Sequence, residues 1–177
     1  MPEQLLMRRP NLDDLPASPP LPAGYTLRPF ADGDSEAELS DTLQSAFPER
    51  TWSVEQVRQQ LTASPAVKAT YVVIHDGVPI AVTASRYDPE KFPESGYVHW
   101  VGTHADHTRQ GLGMALMVRV LQDFAERGYR DAVLETDDFR IPAIRTYFRC
   151  GFVPVTEVGG VSHWERWSAL LPKLFAS

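Results

Sequence analysis

Cysteine is almost absent from the sequence, since Cys150 is the single cysteine in 177 residues. One cysteine cannot form an internal disulfide, so the fold does not depend on an oxidising compartment. The first residues also lack the charged-then-apolar pattern of a signal peptide. These two observations predict a cytoplasmic protein.

Long apolar runs and an excess of positive charge are also lacking. Runs such as 71–74 and 114–118 are far shorter than the roughly 20 residues of a membrane-spanning helix. The 17 Lys and Arg residues against 23 Asp and Glu give a net charge of −6, which is the wrong sign for a nucleic-acid-binding surface. With 43% apolar residues, we expect one soluble globular domain without a nucleic-acid or membrane partner.

Proline is concentrated at the start of the chain, where six of the 15 prolines fall within residues 1–22. Because proline has a fixed φ and no N–H group, this stretch is expected to be an extended, proline-rich arm, and the domain is expected to cover 23–177. Leu5, Leu6 and Met7 are apolar enough to pack on the body or form an edge strand, and a loosely held tail is the alternative.

The rest of the chain predicts an α+β fold, with a mixed, mostly antiparallel central sheet and helices on both faces. Antiparallel strands come first, and a strand–helix–strand unit, which implies a parallel crossover, comes second. The predicted strands are 25–30, 70–75, 80–86, 97–103, 132–136 and a final pair at 152–155 and 161–167. The predicted helices pass through Leu39, Leu43 and Phe47, begin after Ser53, and cover 113–127 and 142–150.

A glycine-rich loop follows the strand 97–103 and opens the next helix. Without side chains at Gly111 and Gly113, the backbone can approach a ligand, and the free amides of the first helical turn favour an anion. The loop therefore predicts a pyrophosphate site, although a tight turn alone is the alternative. A Walker loop is excluded because no Gly-Lys-Ser or Gly-Lys-Thr is present. A dinucleotide fingerprint ranks second, because Leu116 occupies its third small position.

A second motif supports a different interpretation of this loop. The segment Pro142-Ala143-Ile144-Arg145-Thr146-Tyr147-Phe148-Arg149-Cys150-Gly151-Phe152 follows the loop at a characteristic separation. On these two motifs the chain resembles the GNAT family of acyl-CoA-dependent N-acetyltransferases over roughly 24–167. Within the family it looks like an uncharacterised subgroup of small-molecule type that has an arm like 8–16 and a segment like 136–140.

The resemblance implies that acetyl-CoA is the cosubstrate and lies between the strands 97–103 and 132–136, and that a primary amine accepts the acetyl group. Thr108 departs from the family pattern, which has Gln or Arg there, and Arg140 stands where Asn is common. The residues that the resemblance assigns to cofactor binding are Val101, Gly102, Thr103, Thr108, Arg109, Gln110, Gly111, Leu112, Gly113, Met114 and Arg140.

Three residues are candidates for the chemistry. By resemblance, the Tyr147 hydroxyl faces the cofactor sulfur and protonates the departing thiolate, although an ordinary half-buried aromatic is the alternative. Where many relatives carry a glutamate, this chain has Tyr97, so the general base is sought in His99 or Glu135. A core histidine and a solvated strand-end glutamate are the alternatives for these two residues.

Other chemistry is not expected. His99 and His104 are an odd number of residues apart, so their side chains diverge, and no metal site is predicted. Cys150 ends an apolar helix and is expected to be packed and inert. The acceptor site is expected between the first helices, the loop 87–95 and the segment 161–167, where His163, Trp164 and Trp167 supply a wall.

Two other functions remain as alternatives to an acetyltransferase. The first is a non-catalytic acyl-CoA-binding sensor or interaction module. The second, less favoured, is a nucleotide-binding oxidoreductase. The sequence leaves open whether the protein is a monomer or a homodimer.

Overall fold

The computed structural model describes residues 4–175, so the outer ends of the predicted ranges 1–22 and 23–177, Pro2 included, lie outside the described residues. The strands are β1 Leu5–Arg9, β2 Tyr25–Pro29, β3 Val67–His75, β4 Val78–Arg86, β5 Ser95–Thr103, β6 Asp131–Thr136, β7 Val153–Pro154, β8 Glu157–Val158 and β9 Val161–Ser162. The helices are α1 Glu36–Ala46, α2 Val54–Val57 with a π-helical turn Arg58–Thr62, α3 Leu112–Glu126, α4 Ile141–Arg149 and α5 Trp164–Phe175, and Ala105–His107 form a 3₁₀ turn.

The main sheet has seven strands in the order β2-β3-β4-β5-β6-β1-β7. All neighbours in it are antiparallel except β5 and β6, which are joined by α3 and run parallel. The predicted mixed, mostly antiparallel sheet and the parallel crossover are therefore confirmed. A separate ribbon consists of β8 and β9.

Helices cover both faces of the sheet, as the sequence predicts. Alternation along the strands sends Val72 toward α1 and α2, while Val73 packs with Leu116 of α3. α4 and α5 pack on the α3 side, where Trp167 and Phe124 are fully buried. Among residues 4–175, no helix is both long and apolar enough to cross a bilayer.

Hydrogen bonds between neighbouring residues fix the N-terminus of α2. Ser53 is the N-cap of α2, as predicted: its side chain accepts a hydrogen bond from the Gln56 amide, while the Gln56 side chain accepts one from the Ser53 amide. This reciprocal capping fixes the direction in which Gln56 leaves the helix.

The first described strand is an internal strand of the sheet, and neither an edge strand nor a loosely held tail. β1 lies inside the sheet and pairs with β6 on one side and β7 on the other. Leu5 and Met7 are fully buried, because a strand in this position faces the core under α3 and α4. The following residues return toward β2 past the glycine-rich loop, where Pro19 lies beside Gly111.

The predicted final strand pair is wrong. β7 pairs with β1, and only Val161 and Ser162 of the segment 161–167 are extended. α5 begins at Trp164 because the apolar residues Trp167, Leu170 and Leu174 recur at helical spacing and bury one face against the core. Two of these three residues lie beyond 167, so the segment 161–167 alone does not show the helical period.

Candidate active site

The sheet opens between its two parallel strands. β5 pairs with β6 only through residues 95–97, and beyond Tyr97 it pairs with β4 alone. A β-bulge then places Trp100 and Val101 opposite Thr83, and Trp100 has a φ of +53°. A bulge bends its strand, so the rest of β5 leaves β6 and exposes an unpaired backbone edge.

A cleft of about 60 Å³ lies where the two strands separate. The Thr136 hydroxyl at the end of β6 is buried there without a hydrogen-bond partner among the described residues. This cleft lies at the place that the sequence analysis assigned to the cofactor. Its walls come from both strands, from α4 and from the end of α1, and include Phe47, Arg50, Val98, Trp100, Val101, Leu134, Glu135, Thr136, Asp137, Arg140, Ala143 and Tyr147.

The N-terminus of α3 leaves its first amides unsatisfied. Gly111 is the N-cap in a left-handed conformation, with φ +79°, and no side chain caps the helix. A Cβ built on Gly113 meets no atom within 4 Å, so the space in front of this turn is open. Free amides, a favourable helix dipole and open space together fit a pyrophosphate.

The residues that precede α3 contribute in different ways. The Thr108 hydroxyl donates a hydrogen bond to the Ala105 carbonyl at 3.1 Å, which holds the turn before the loop. Arg109 is exposed, has a φ of +61°, and forms no ion pair within residues 4–175. Gln110 is half-buried. Arg109 is therefore the side chain of the loop whose charge is available to an anion.

Two further residues of the predicted loop serve the core with their side chains. Leu112 is buried, and the Met114 sulfur lies 3.3 Å from the Cys150 sulfur. Their amides, at the start of α3, are the groups that can meet a ligand. Burial raises the pKa of Cys150 to about 12, so the thiol stays protonated and the expected packed, inert role is supported.

The β5 residues assigned to cofactor binding are not equivalent. Val101 lines the cleft, and the Thr103 backbone pairs with Ala81 of β4. Gly102 has a structural reason to be glycine, because a Cβ there would lie 2.7 Å from the Phe47 ring. Its lack of a side chain lets α1 approach the sheet, and therefore gives no independent sign of a ligand.

Tyr147 reaches the cleft from α4. It is 6% exposed, and its hydroxyl forms no hydrogen bond within residues 4–175. Burial raises the pKa of Tyr147 to about 12, against the opposing effect of the nearby Arg140 guanidinium. The phenol is therefore protonated at neutral pH and has a proton to donate.

The structure opposes His99 as the general base. Burial, aided by the Arg86 charge, lowers the pKa of His99 to about 3, so the ring has little affinity for a proton. His99 also does not line the cleft between β5 and β6. A base must be poised near the working pH, and His99 instead has the properties of the core histidine that the sequence left as the alternative.

Glu135 is one of two carboxylates in the cleft wall, the other being Asp137, which is bound to Arg140. Glu135 accepts a hydrogen bond from the Tyr97 hydroxyl at 3.0 Å and forms an ion pair with Lys91 at 2.6 Å. Burial and the Glu135 charge raise the pKa of Tyr97, which stays a donor. Glu135 is thus fixed by two contacts at the point where the strands part.

Arg140 joins the two sides of the cleft. Its guanidinium bonds to Glu49 from the loop after α1 and to Asp137 at 3.4 Å, and it lies 4.5 Å from the centre of the Phe47 ring. Its charge is already compensated by these two carboxylates. Arg140 therefore acts here first as a link between α4 and the α1 side.

The structure adds an aromatic cluster that the sequence analysis did not use. The Trp52 and Trp100 rings lie 4.8 Å apart, and both border an open pocket beside the cleft. By contrast, Trp167 is in the core, and neither Trp164 nor His163 lines the cleft. The two tryptophans are far apart in sequence and meet only through the bulge in β5, so no local pattern could have revealed them.

The histidines do not form a metal site in the part of the chain that is described. The rings of Tyr25, His75, His104 and His107 contact one another in tilted and edge-to-face pairs, and the Tyr25 hydroxyl lies 2.8 Å from His107 Nδ1. Within residues 4–175 no group of three or more His, Cys, Asp or Glu side chains is arranged to hold a metal ion.

Known proteins are similar to this chain in sequence and in architecture. The chain is 32% identical to a mycothiol acetyltransferase of Actinosynnema mirum over 84% of this chain and 51% of the relative, and it spans about half the length of the curated relatives it matches. A GCN5-related N-acetyltransferase from Sphaerobacter thermophilus has a TM-score of 0.67 at 22% identity, covering 88% of this chain and 50% of that one. An Elizabethkingia anophelis GNAT acetyltransferase with acetyl-CoA bound has a TM-score of 0.55 at 18% identity, covering 72% and 74%. Residues 37–152 match the model of the acetyltransferase (GNAT) family, and the chain belongs to that family.

Proposed function

We propose that the protein is an acyl-CoA-dependent N-acetyltransferase that moves an acetyl group from acetyl-CoA to a primary amine of a small molecule. The observation that carries this proposal is the cleft between β5 and β6, with a protonated Tyr147 in its wall. The bound acetyl-CoA of one structural neighbour supports the cosubstrate, and the name of the mycothiol acetyltransferases supports a small-molecule acceptor.

The residues of this chain fit the parts of acetyl-CoA. The uncapped first turn of α3 and Arg109 suit the pyrophosphate. The unpaired edge of β5 at Val101 and Thr103 suits the two amides of the pantetheine arm, which would pair with it like an added strand. Cofactor binding in this arrangement leaves few polar groups unsatisfied.

The chemistry follows from the groups in the cleft wall. Acetyl-CoA supplies a thioester, whose acetyl carbon the neutral amine attacks directly while the bond from that carbon to sulfur breaks. Tyr147 donates its proton to the departing thiolate. Glu135, directly or through water, accepts the proton that the amine loses.

The oxidoreductase alternative is wrong for this fold. A dinucleotide-binding fold requires a doubly wound parallel sheet, whereas β2, β3, β4 and β5 are successive antiparallel neighbours. The non-catalytic acyl-CoA sensor has the same fold as the enzyme and is separated from it by turnover.

Thermal shift and turnover test the proposal in two steps. At 100 times its Kd, acetyl-CoA adds about 2.7 kcal/mol of stability, which raises Tm by about 5–10 °C, and CoA acts similarly while NAD and ATP do not. Release of free CoA is then followed over a panel of primary amines. A larger shift with NAD contradicts the cofactor assignment, and a shift without turnover of any amine favours the sensor.

A further inference from the structure

The open pocket beside the cleft offers hydrogen-bond donors and no acidic group. It has a volume of about 270 Å³, enough for a small ligand, and shares Arg50 and Trp100 with the cleft that contains Tyr147. A molecule in this pocket therefore lies next to the proposed reaction centre. The pocket is lined by Arg50, Thr51, Trp52, Gln56, Gln60 and Trp100.

The charge of Arg50 is uncompensated. Its guanidinium lies 4.9 Å from the centre of the Trp100 ring, and it forms no ion pair in the part of the chain that the structure describes. The adjacent carboxylate, Glu49, is bound to Arg140. The guanidinium is thus held in place by an aromatic face while its five N–H donors stay available.

Two glutamines in the pocket lining have hydrogen bonds to their side-chain oxygens. Gln56 Oε1 accepts from the Ser53 amide at 2.9 Å, and Gln60 Oε1 accepts from the Trp100 indole at 3.4 Å. Both partners are obligate donors, so the side-chain oxygens are committed and the nitrogens remain. The Trp52 Nε1–H is also buried without an acceptor among the described residues.

The loop that carries Arg50 is built to hold this arrangement. The Gln44 side chain of α1 donates to the Arg50 carbonyl at 2.9 Å and accepts from the Trp52 amide at 3.0 Å. The backbone of both residues is therefore fixed by α1, independently of the Arg50 side chain. A substitution at Arg50 changes the charge of the pocket without removing the contacts that shape the loop.

We propose that the acceptor is a primary amine of the amino-acid type, which also carries a carboxylate and therefore has no net positive charge. Its carboxylate binds Arg50 and the amides of Gln56 and Gln60, its body lies against Trp52 and Trp100, and its amine points toward the cleft. This inference rests on the proposed acetyl transfer. The net charge of −6 favours cationic amines only weakly, because such a field is screened beyond about 10 Å in 0.1 M salt. A carboxylate in contact with a guanidinium is screened much less.

Matched ligands test the carboxylate directly. Three sets, built on phenylalanine, leucine and methionine, each contain the amino acid, its α-amide and the amine left by loss of the α-carboxyl group, so that only the amino acid carries a carboxylate. Binding is measured by tryptophan fluorescence in saturating CoA, and turnover by the release of CoA from acetyl-CoA. In at least one set the amino acid should bind about 10–100-fold more tightly than its two analogues, the ratio that a charge-assisted hydrogen bond provides.

Variants at Arg50 make the test specific. Arg50→Gln should remove the preference for the amino acid over its two analogues, while Arg50→Lys should restore part of it. Arg130→Gln is the matched control, because Arg130 is exposed, lies outside the pocket and loses the same charge. Circular dichroism confirms that each variant is folded.

The two proposals fail in distinguishable ways. Carboxylate-dependent binding that requires Arg50, without turnover, upholds the pocket and overturns the acetyl transfer. Turnover that is indifferent to the carboxylate or to Arg50→Gln upholds the transfer and overturns the carboxylate-bearing acceptor. The absence of binding by every amino acid in the three sets also overturns it.

Discussion

The two halves of β5 differ in what surrounds them. Residues 95–97 pair with β6, and Tyr97 pairs with β4 as well. The core beneath them is closely packed, since a Cβ on Gly96 would lie less than 3.0 Å from the Phe124 ring. Residues 98–103 have a strand on one side only, and Trp100 adopts a positive φ. The first half holds the sheet together, and the second half opens it.

This difference shows how a parallel pair of strands can produce a site. If β5 and β6 stayed paired to their ends, their amides would satisfy each other and no polar edge would remain for a ligand. The bulge at Trp100 uses backbone strain, which costs of order 1–3 kcal/mol, to leave that edge free beside Tyr147 and Glu135. The pairing of residues 95–97 with β6 offsets this strain energy.

Tyr147→Phe separates chemistry from folding in the open half. If Tyr147 donates a proton to the leaving thiolate, the variant should lower kcat by about 10²–10⁴-fold, or about 3–5 kcal/mol in the barrier. Stability should change little, because the hydroxyl has no hydrogen-bond partner in the described structure. Steady-state kinetics and urea unfolding of the same preparation measure both quantities. Turnover at the parent rate, with chemistry limiting, makes Tyr147 a packing residue.

A pair of glycine variants tests the two regions against each other. Gly96→Ala should destabilise the protein by about 1–3 kcal/mol through overpacking against Phe124 and should leave acetyl-CoA affinity in the folded fraction intact. Gly113→Val should weaken the binding of acetyl-CoA and leave stability little changed, because its side chain enters the open space in front of α3. Gly111 is less informative, since its φ of +79° strains any substitution. Intact CoA affinity in Gly113→Val returns the loop to the status of an ordinary turn.

The pH dependence of stability reports on His99, whose ring is buried in the open half of β5. The pKa of His99 is about 3 in the folded protein against about 6.5 when unfolded, so the unfolded state binds a proton first. The contribution of His99 to the free energy of unfolding is fully present above pH 6.5 and is lost progressively as the pH falls toward 3. By pH 5 the loss is about 2 kcal/mol, from 1.5 pH units at about 1.4 kcal/mol each.

Urea unfolding at pH 7 and pH 5 measures that loss, and His99→Gln is the control that should abolish this part of it. The same variant separates structure from catalysis. A kcat that is unchanged at pH 7 supports a structural His99, whereas a loss of kcat with stability preserved restores it as a base.

Tyr97→Phe tests the junction between the halves and should have the smallest effect. The Tyr97 hydroxyl bonds to Glu135 at 3.0 Å, while Lys91 retains its own ion pair with the same carboxylate. The loss of stability should be about 1 kcal/mol. If Glu135 accepts the proton of the amine, Tyr97→Phe should also lower kcat, because the carboxylate loses one of the two contacts that fix it. An unchanged kcat, with chemistry limiting, argues against Glu135 as the base.

Short-range chemistry accounts for the elements that the sequence predicted well. The hairpin between β3 and β4 turns at Asp76-Gly77, both with positive φ, and Ser53 caps α2 as its neighbours require. α3 follows from its apolar period. Each of these depends on residues within one or two turns of each other, so the local sequence contains the necessary information.

Placement across the sheet was less predictable. The apolar residues Leu5 and Met7 are compatible with an edge strand or a loosely held tail, and the structure instead places a strand between β6 and β7. A strand's alternation says which face is buried, and an internal position depends on partners that lie more than a hundred residues away. The same reason explains why the partner of β7 is β1 and not the segment 161–167.

The sequence by itself determined the family, the order of the elements from β2 to α4, the glycine-rich turn before α3 and Tyr147 on α4, because motifs and caps act over short distances. Only the tertiary structure decided that burial lowers the pKa of His99, that Glu135 lies in the cleft between Lys91 and Tyr97, and that Arg50 meets two tryptophans in a pocket without an acid. Burial, dielectric environment and the meeting of distant side chains set these properties. They are properties of the folded surroundings, which no single segment of the chain specifies.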